Sequence, residues 1–109
     1  MSSTSIAEAI STLTELLQTL EDAYWEASTI RDKDTFFDLI SAINQEQTEL
    51  AKLSIQDHHL DYEMISLDFR RCQNKLGNLR KRLDDCVTRS STAVRLDTVI
   101  GQATALMGH

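Results

Sequence analysis

No proline interrupts the 109 residues, and glycine occurs only at Gly77, Gly101 and Gly108. Tight turns draw heavily on those two residue types. A chain so poor in both excludes a fold of many hairpins and favours long helices. No uncharged apolar run approaches the roughly 20 residues that a bilayer-spanning helix needs, so no membrane segment is expected. Met1-Ser-Ser-Thr-Ser5 lacks the basic and apolar blocks of a secretory signal, and a cytoplasmic location follows as the expectation. Glycine-rich phosphate loops, the Gly-x-Ser-x-Gly elbow and the His-Glu-x-x-His pair are all missing. The chain therefore reads as non-enzymatic, with no cofactor. Cysteine is limited to Cys72 and Cys86. On one continuous helix these two stand about 21 Å apart, far beyond disulfide reach, which predicts two buried, reduced thiols.

What is present is periodicity. Ile6, Ile10, Leu13, Leu17, Leu20, Tyr24 and Ala27 alternate four and three apart, as do Phe36, Ile40, Ile43, Gln47 and Leu50. A third set runs Tyr62, Ile65, Phe69, Cys72, Leu76, Leu79, Leu83, Cys86. A repeat of about 3.5 residues lays each set along one side of a helix, a stripe that only other helices can cover. With 41% hydrophobic and 26% charged residues the chain has the composition of a folded protein. The prediction is an all-α single domain over 1–109: an elongated antiparallel three-helix bundle, or coiled-coil-like hairpin, with a short C-terminal fourth helix.

Local signals set the boundaries. Ser5 and Glu8 are spaced as a capping box, which starts the first helix at about 5 and carries it to about 30. Arg31-Asp-Lys-Asp34 then reads as a charged turn, with Asp34 capping a second helix over about 35–54 and Phe36 and Phe37 anchoring the hairpin. Beyond Leu53 the second stripe would turn Ser54, Asp57 and Asp61 inwards, a costly burial. A break is predicted there, with Asp57 capping a third helix over about 59–89. Gly77 within it would mark a close approach, a kink or simple drift of the pattern. Ser90-Ser-Thr92 is the next cap signal. Leu96, Ile100, Ala103 and Met107 predict a fourth helix over about 92–107, weakened by Gly101 and marginal without a surface to dock on.

Charge divides the chain. Residues 1–68 hold 14 acidic and 3 basic side chains, whereas residues 69–109 hold 3 acidic and 8 basic. Lys75, Arg82 and Arg89 recur every seven residues beside the third stripe, with Glu21 and Glu46 as counterparts beside the others. Those are positions that select a partner helix and its direction. The basic helix is expected to lie mainly against the acidic helices of its own chain. Part of the basic set (Arg70, Arg71, Lys75, Arg82, Arg89), together with Trp25, remains as a candidate surface for a protein partner, a second copy in a homodimer included. Nucleic acid is the less favoured alternative for Arg70–Arg82, because the whole chain is acidic and no aromatics interleave the cations.

His58, His59, Asp61 and Glu63 form the densest ionisable cluster. On a helix, His59 and Glu63 share a face and offer two metal ligands, fewer than zinc takes; nothing else obviously completes the set, His109 being terminal and the cysteines expected to face inwards. A small metal-binding protein at His58/His59 is thus the last-ranked alternative to a polar helix start. Histidine phosphotransfer domains resemble this chain in size and class, but their histidine precedes a lysine–glycine pair. Leu60-Asp61-Tyr62 follows here, which excludes that assignment. The function expected is a small acidic adaptor, regulator or chaperone-like module that binds a partner through its helix seams.

Overall fold

The computed structural model describes residues 4–87 and 89–108; Met1–Ser3, Thr88 and His109 lie outside them. Helix α1 spans Ile6–Glu26 and opens with the expected capping box, the Ser5 hydroxyl accepting from the Glu8 N–H at 3.2 Å. Two further N–H groups of its first turn, which no helix can satisfy internally, reach the middle of the chain. Ile6 N–H donates to the Leu60 carbonyl at 2.9 Å, and Ala7 N–H to that of His58 at 3.0 Å. Tyr62 N–H returns a bond to Thr4 at 2.7 Å. The start of α1 is therefore finished by residues 58–62, which lie in a turn and an extended stretch and not in the helix expected from 59.

Helix α1 ends at Glu26 rather than at 30. Thr29, not Asp34, caps helix α2 (Ile30–Ala51), its hydroxyl accepting from Asp32 N–H at 3.1 Å. Arg31–Asp34 thus forms the first turn of α2, and the two helices turn back on each other through 27–29. Phe36 is fully buried as expected, whereas Phe37 faces outwards at 58% exposure.

Between α2 and the next helix lies a 3₁₀ turn, Ile55–Asp57, capped by Ser54. Asp57 caps nothing further: Ser66 starts helix α3 (Leu67–Arg71), its hydroxyl accepting from Phe69 N–H at 3.3 Å. The predicted third helix is three short ones, α3, α4 (Gln73–Arg80) and α5 (Leu83–Cys86). Its stripe survives the breaks. Tyr62, Phe69, Cys72, Leu76, Leu79, Leu83 and Cys86 are all buried, and Ile65 alone of that set is exposed. Helix α6, Ser90–Met107, is longer than expected and fully docked, packing on α1, α4 and α5. Leu96, Val99, Ile100 and Ala103 are buried to 1% exposure or less, and that wide stripe supplies the partner surface that a short helix needs.

Helices α1, α2 and α6 pack together, with α3–α5 closing the bundle between α2 and α6, and no sheet forms among the described residues. Extents of 42 × 25 × 21 Å and a radius of gyration of 13.7 Å describe a compact globule rather than elongated rods, close to the roughly 13 Å typical of this length.

The observed stripe of α2 is Asp32, Phe36, Leu39, Ile43, Glu46, Leu50. Its phase is shifted from the expected one, and it includes two carboxylates. Glu46, anticipated beside a seam, is fully buried in it. It accepts from the Tyr62 hydroxyl at 2.5 Å, from Ile65 N–H at 3.0 Å and from Ser66 N–H at 2.6 Å. A buried charge is tolerated when its lone pairs are filled in this way. The carboxylate fixes the extended stretch that leads into α3.

The glycines exchange the roles the sequence suggested. A methyl group at Gly77 would meet nothing within 4 Å, whereas one at Gly101 would lie 2.8 Å from the Arg80 guanidinium. The close approach is thus at Gly101, where Arg80 crosses α6 to reach Asp97 at 2.8 Å.

Two stability measurements follow. Glu46→Ala strands the Ser66 and Ile65 N–H groups and the Tyr62 hydroxyl in the interior, and should cost about 3 kcal/mol in urea unfolding, against about 1–2 kcal/mol for Tyr62→Phe. Gly77→Ala should instead stabilise by about 0.5–1 kcal/mol, since α4 has room for the methyl group and alanine is the better helix former.

Candidate functional site

Most of the basic residues singled out above are engaged by the chain itself. Lys75 on α4 reaches Asp38 on α2 at 3.1 Å, and Arg82 reaches Asp32 on α2 at 3.3 Å. Arg95 joins α6 to Asp22 on α1 at 3.1 Å. Arg70 donates to the Met64 carbonyl at 2.9 Å, and Arg71 borders a hollow of about 290 Å³ with Asp38, Asp68, Cys72 and Lys75. These ion pairs are largely solvent-exposed, worth about 1 kcal/mol or less each. Their effect is to select which helix lies beside which.

The Asp32 pair is the exception in burial. Asp32 is 8% exposed, and its Oδ1 also faces the Cys86 thiol at 3.6 Å. The Arg82 guanidinium lies 3.3 Å from the same sulfur. Burial first, and the Asp32 charge second, push the Cys86 thiol above its ordinary range. Burial likewise pushes Cys72 up to about 11. These shifts favour the protonated thiol over the more reactive thiolate at both sulfurs. Both cysteines are free and buried.

His59 and Glu63 do not share a helix face. The segment they occupy is a turn followed by extended chain, and both side chains are exposed. His58 is half-buried, with Nε2 enclosed and without a hydrogen-bond partner. Among the described residues no three His, Cys, Asp or Glu side chains come together as a metal site, and no helix is long and apolar enough to cross a membrane.

Trp25, one position off the α1 stripe, is 78% exposed. Its ring stands edge-on to Tyr24 with centroids 5.2 Å apart. Lys33 sits over both rings, 4.6 Å from the Tyr24 centroid and 5.7 Å from that of Trp25, while donating to the Tyr24 carbonyl at 2.8 Å. The indole is held but not covered. It borders an open hollow of about 460 Å³ with Asp22, Glu26, Arg89, Thr92 and Arg95. Glu26 anchors the rim, accepting from Arg89 N–H at 3.2 Å and from the Thr92 hydroxyl at 2.8 Å. Of the candidate residues, then, the structure brings Trp25 and Arg89 together and places Lys75 and Arg82 along a different groove.

Sequence reasoning missed Asp32 and Glu46 as core residues. The signal was there: the four-three spacing through Phe36, Leu39, Ile43 and Leu50 runs on into a carboxylate above and includes another within.

The buried thiol gives a pH test. The folded protein holds the Cys72 proton more tightly than the unfolded chain does, so between pH 9 and about 11 the unfolded chain binds fewer protons. Stability is thus fully retained below pH 9 and falls as pH rises through that window, by about 2–3 kcal/mol. Tyr62, also raised by burial and by Glu46, adds to the loss at higher pH. Denaturant unfolding at stepped pH should show the decline, and Cys72→Ala should flatten its lower part.

No protein-family model, curated protein or solved structure matches this chain.

Proposed function

We propose that this chain is a non-enzymatic protein–protein interaction module, a small acidic adaptor or regulator whose partner docks at the Trp25 end of the bundle. One observation carries the proposal: an indole left 78% exposed while Lys33 and Tyr24 hold it in place. Tryptophan is the residue most enriched among the few that dominate binding energy. A side chain already ordered loses little entropy on binding. The hollow beside it offers guanidinium and carboxylate groups for a polar rim around the indole.

Binding through helix seams has less in its favour than this site, because most of the stripe residues are covered within the chain. The nucleic-acid alternative has less in its favour, since Lys75, Arg80 and Arg82 are paired with carboxylates of the same chain. The open hollows support a non-enzymatic role, since substrate sites are ordinarily enclosed clefts. Two free buried thiols suit a cytoplasmic location.

Cross-linked capture from the native host, with wild type and Trp25→Ala compared, tests the proposal. Trp25 is largely exposed, so the variant should unfold within about 0.5 kcal/mol of wild type, while partner affinity should fall roughly 30-fold, the loss typical of a central indole. Capture unchanged by the substitution would refute it. Trp25 is the only tryptophan, so a blue shift of its emission on adding the captured partner would report burial directly.

A further inference from the structure

A second groove, of about 450 Å³, runs between α2 and α4 and is lined by Arg31, Thr35, Lys75, Asn78, Leu79, Lys81 and Arg82. It shares no residue with the hollow at Trp25 and reverses the sign of a chain whose first 68 residues are strongly acidic. Two other hollows mix charges, Asp38 and Asp68 facing Arg71 and Lys75 in one and Asp22 and Glu26 facing Arg89 and Arg95 in another, and a third beside Ser66 carries only the carboxylates of Glu49 and Asp68. Cations alone supply the ionisable groups of this groove, among the described residues.

The four cations are not equivalent. Lys75 is neutralised by Asp38 and Arg82 by Asp32. Those pairs bridge the two walls, α2 to the α4 side. Arg31 and Lys81 have no hydrogen-bond or ion-pair partner for their side chains among the described residues. Two uncompensated positive charges therefore sit on opposite walls, one a planar fork and one a flexible ammonium. Thr35 adds a hydroxyl and Asn78 an amide donor to the lining.

We infer that this groove binds a phosphorylated segment of a partner protein, with Arg31 and Lys81 meeting the phosphoryl group. At neutral pH a phosphomonoester carries a charge of about −1.5 to −2 in one compact group, which matches the two unpaired cations, and its three oxygens accept from guanidinium and ammonium donors together. Leu79 is the only large apolar side chain of the lining, and the groove is open along its length, so it does not enclose a free metabolite. A peptide pinned by its phosphoryl group and lying along the helices suits that shape. This inference does not depend on the proposal for Trp25.

Amide-resolved NMR titration of the intact chain tests it, with three probes: a short glycine–alanine peptide carrying one phosphoserine, its unphosphorylated twin, and a twin with two aspartates in place of the phosphoserine. Saturable shifts should centre on Arg31, Thr35, Asn78 and Lys81. The phosphopeptide should bind at least about tenfold more tightly than either twin. Arg31→Ala/Lys81→Ala, both at exposed positions, should reduce that affinity about tenfold, whereas Arg95→Ala, outside the groove, should leave it unchanged. Three results would each overturn the inference: shifts spread evenly over Arg70, Arg71 and Arg89 without saturation, equal binding of the aspartate twin, or tighter binding of a single-stranded oligonucleotide at the same residues. Because the wild-type shifts map the site directly, the outcome does not rest on the variants, and Trp25→Ala should bind the phosphopeptide normally whatever its effect on other partners.

Discussion

The carboxylate of Glu46 is the interaction on which the rest of the arrangement turns. It sits in the α2 stripe at a position the spacing reserves for an apolar residue, with no exposure to solvent. Removed from water, a carboxylate is tolerable only with its oxygens fully occupied. The Tyr62 hydroxyl and the N–H groups of Ile65 and Ser66 occupy them. Satisfying that charge requires the backbone at 62–66 to be extended, which rules out the uninterrupted helix that periodicity alone suggests. The same stretch, held in place, joins Thr4 through the Tyr62 N–H next to the His58 and Leu60 carbonyls that meet the open donors of α1, and it sets Ser66 to cap α3. One buried charge thus coordinates the end of one helix, the start of another and the passage between them.

Electrostatics elsewhere works by selection. The acidic first half and basic second half meet as exposed pairs between α2 and α4 and between α1 and α6, and a further exposed pair within the second half joins α4 to α6. Each is weak, but a shifted register would set like charges against one another, so together they discriminate among packings that the apolar stripes alone would leave close in energy. Arg31 and Lys81 are left over from that pairing, and Trp25 is left over from the core. All three side chains face solvent.

How much of this was legible in the sequence varied with the range of the interactions involved. Helix α1 was legible at its start, since Ser5 and Glu8 cap locally. The burial of Phe69, Leu76, Leu79 and Leu83 was legible too, because a face stays aligned even where its helix is broken into pieces. Stripe phase in α2 was misread through Ile40 and Gln47, since Asp32 and Glu46 look like surface residues until Arg82 and Tyr62 are placed beside them. The break after α2 was legible from the inward-facing Ser54 and Asp57, but the course of 58–66 was not, because it is set by Thr4, Ile6, Ala7 and Glu46, far away in sequence. Trp25 was readable as one position off a stripe. The groove was only half visible: Lys75, Lys81 and Arg82 stood out as basic, but nothing local said that Arg31, read as part of a turn, forms the opposite wall.

The packing of α6 on α1 has a consequence for synthesis. Arg95 and Asp22, which join across that contact, are separated by 73 residues. While the chain emerges from a ribosome, the α1–α2 hairpin is available early, yet the side of α1 meant for α6 stays uncovered until nearly all of the described sequence has been made. Closure that late is slow relative to a hairpin, because loop entropy is lost before the distant contact forms. Through that interval the nascent protein exposes a greasy flank that the finished one conceals.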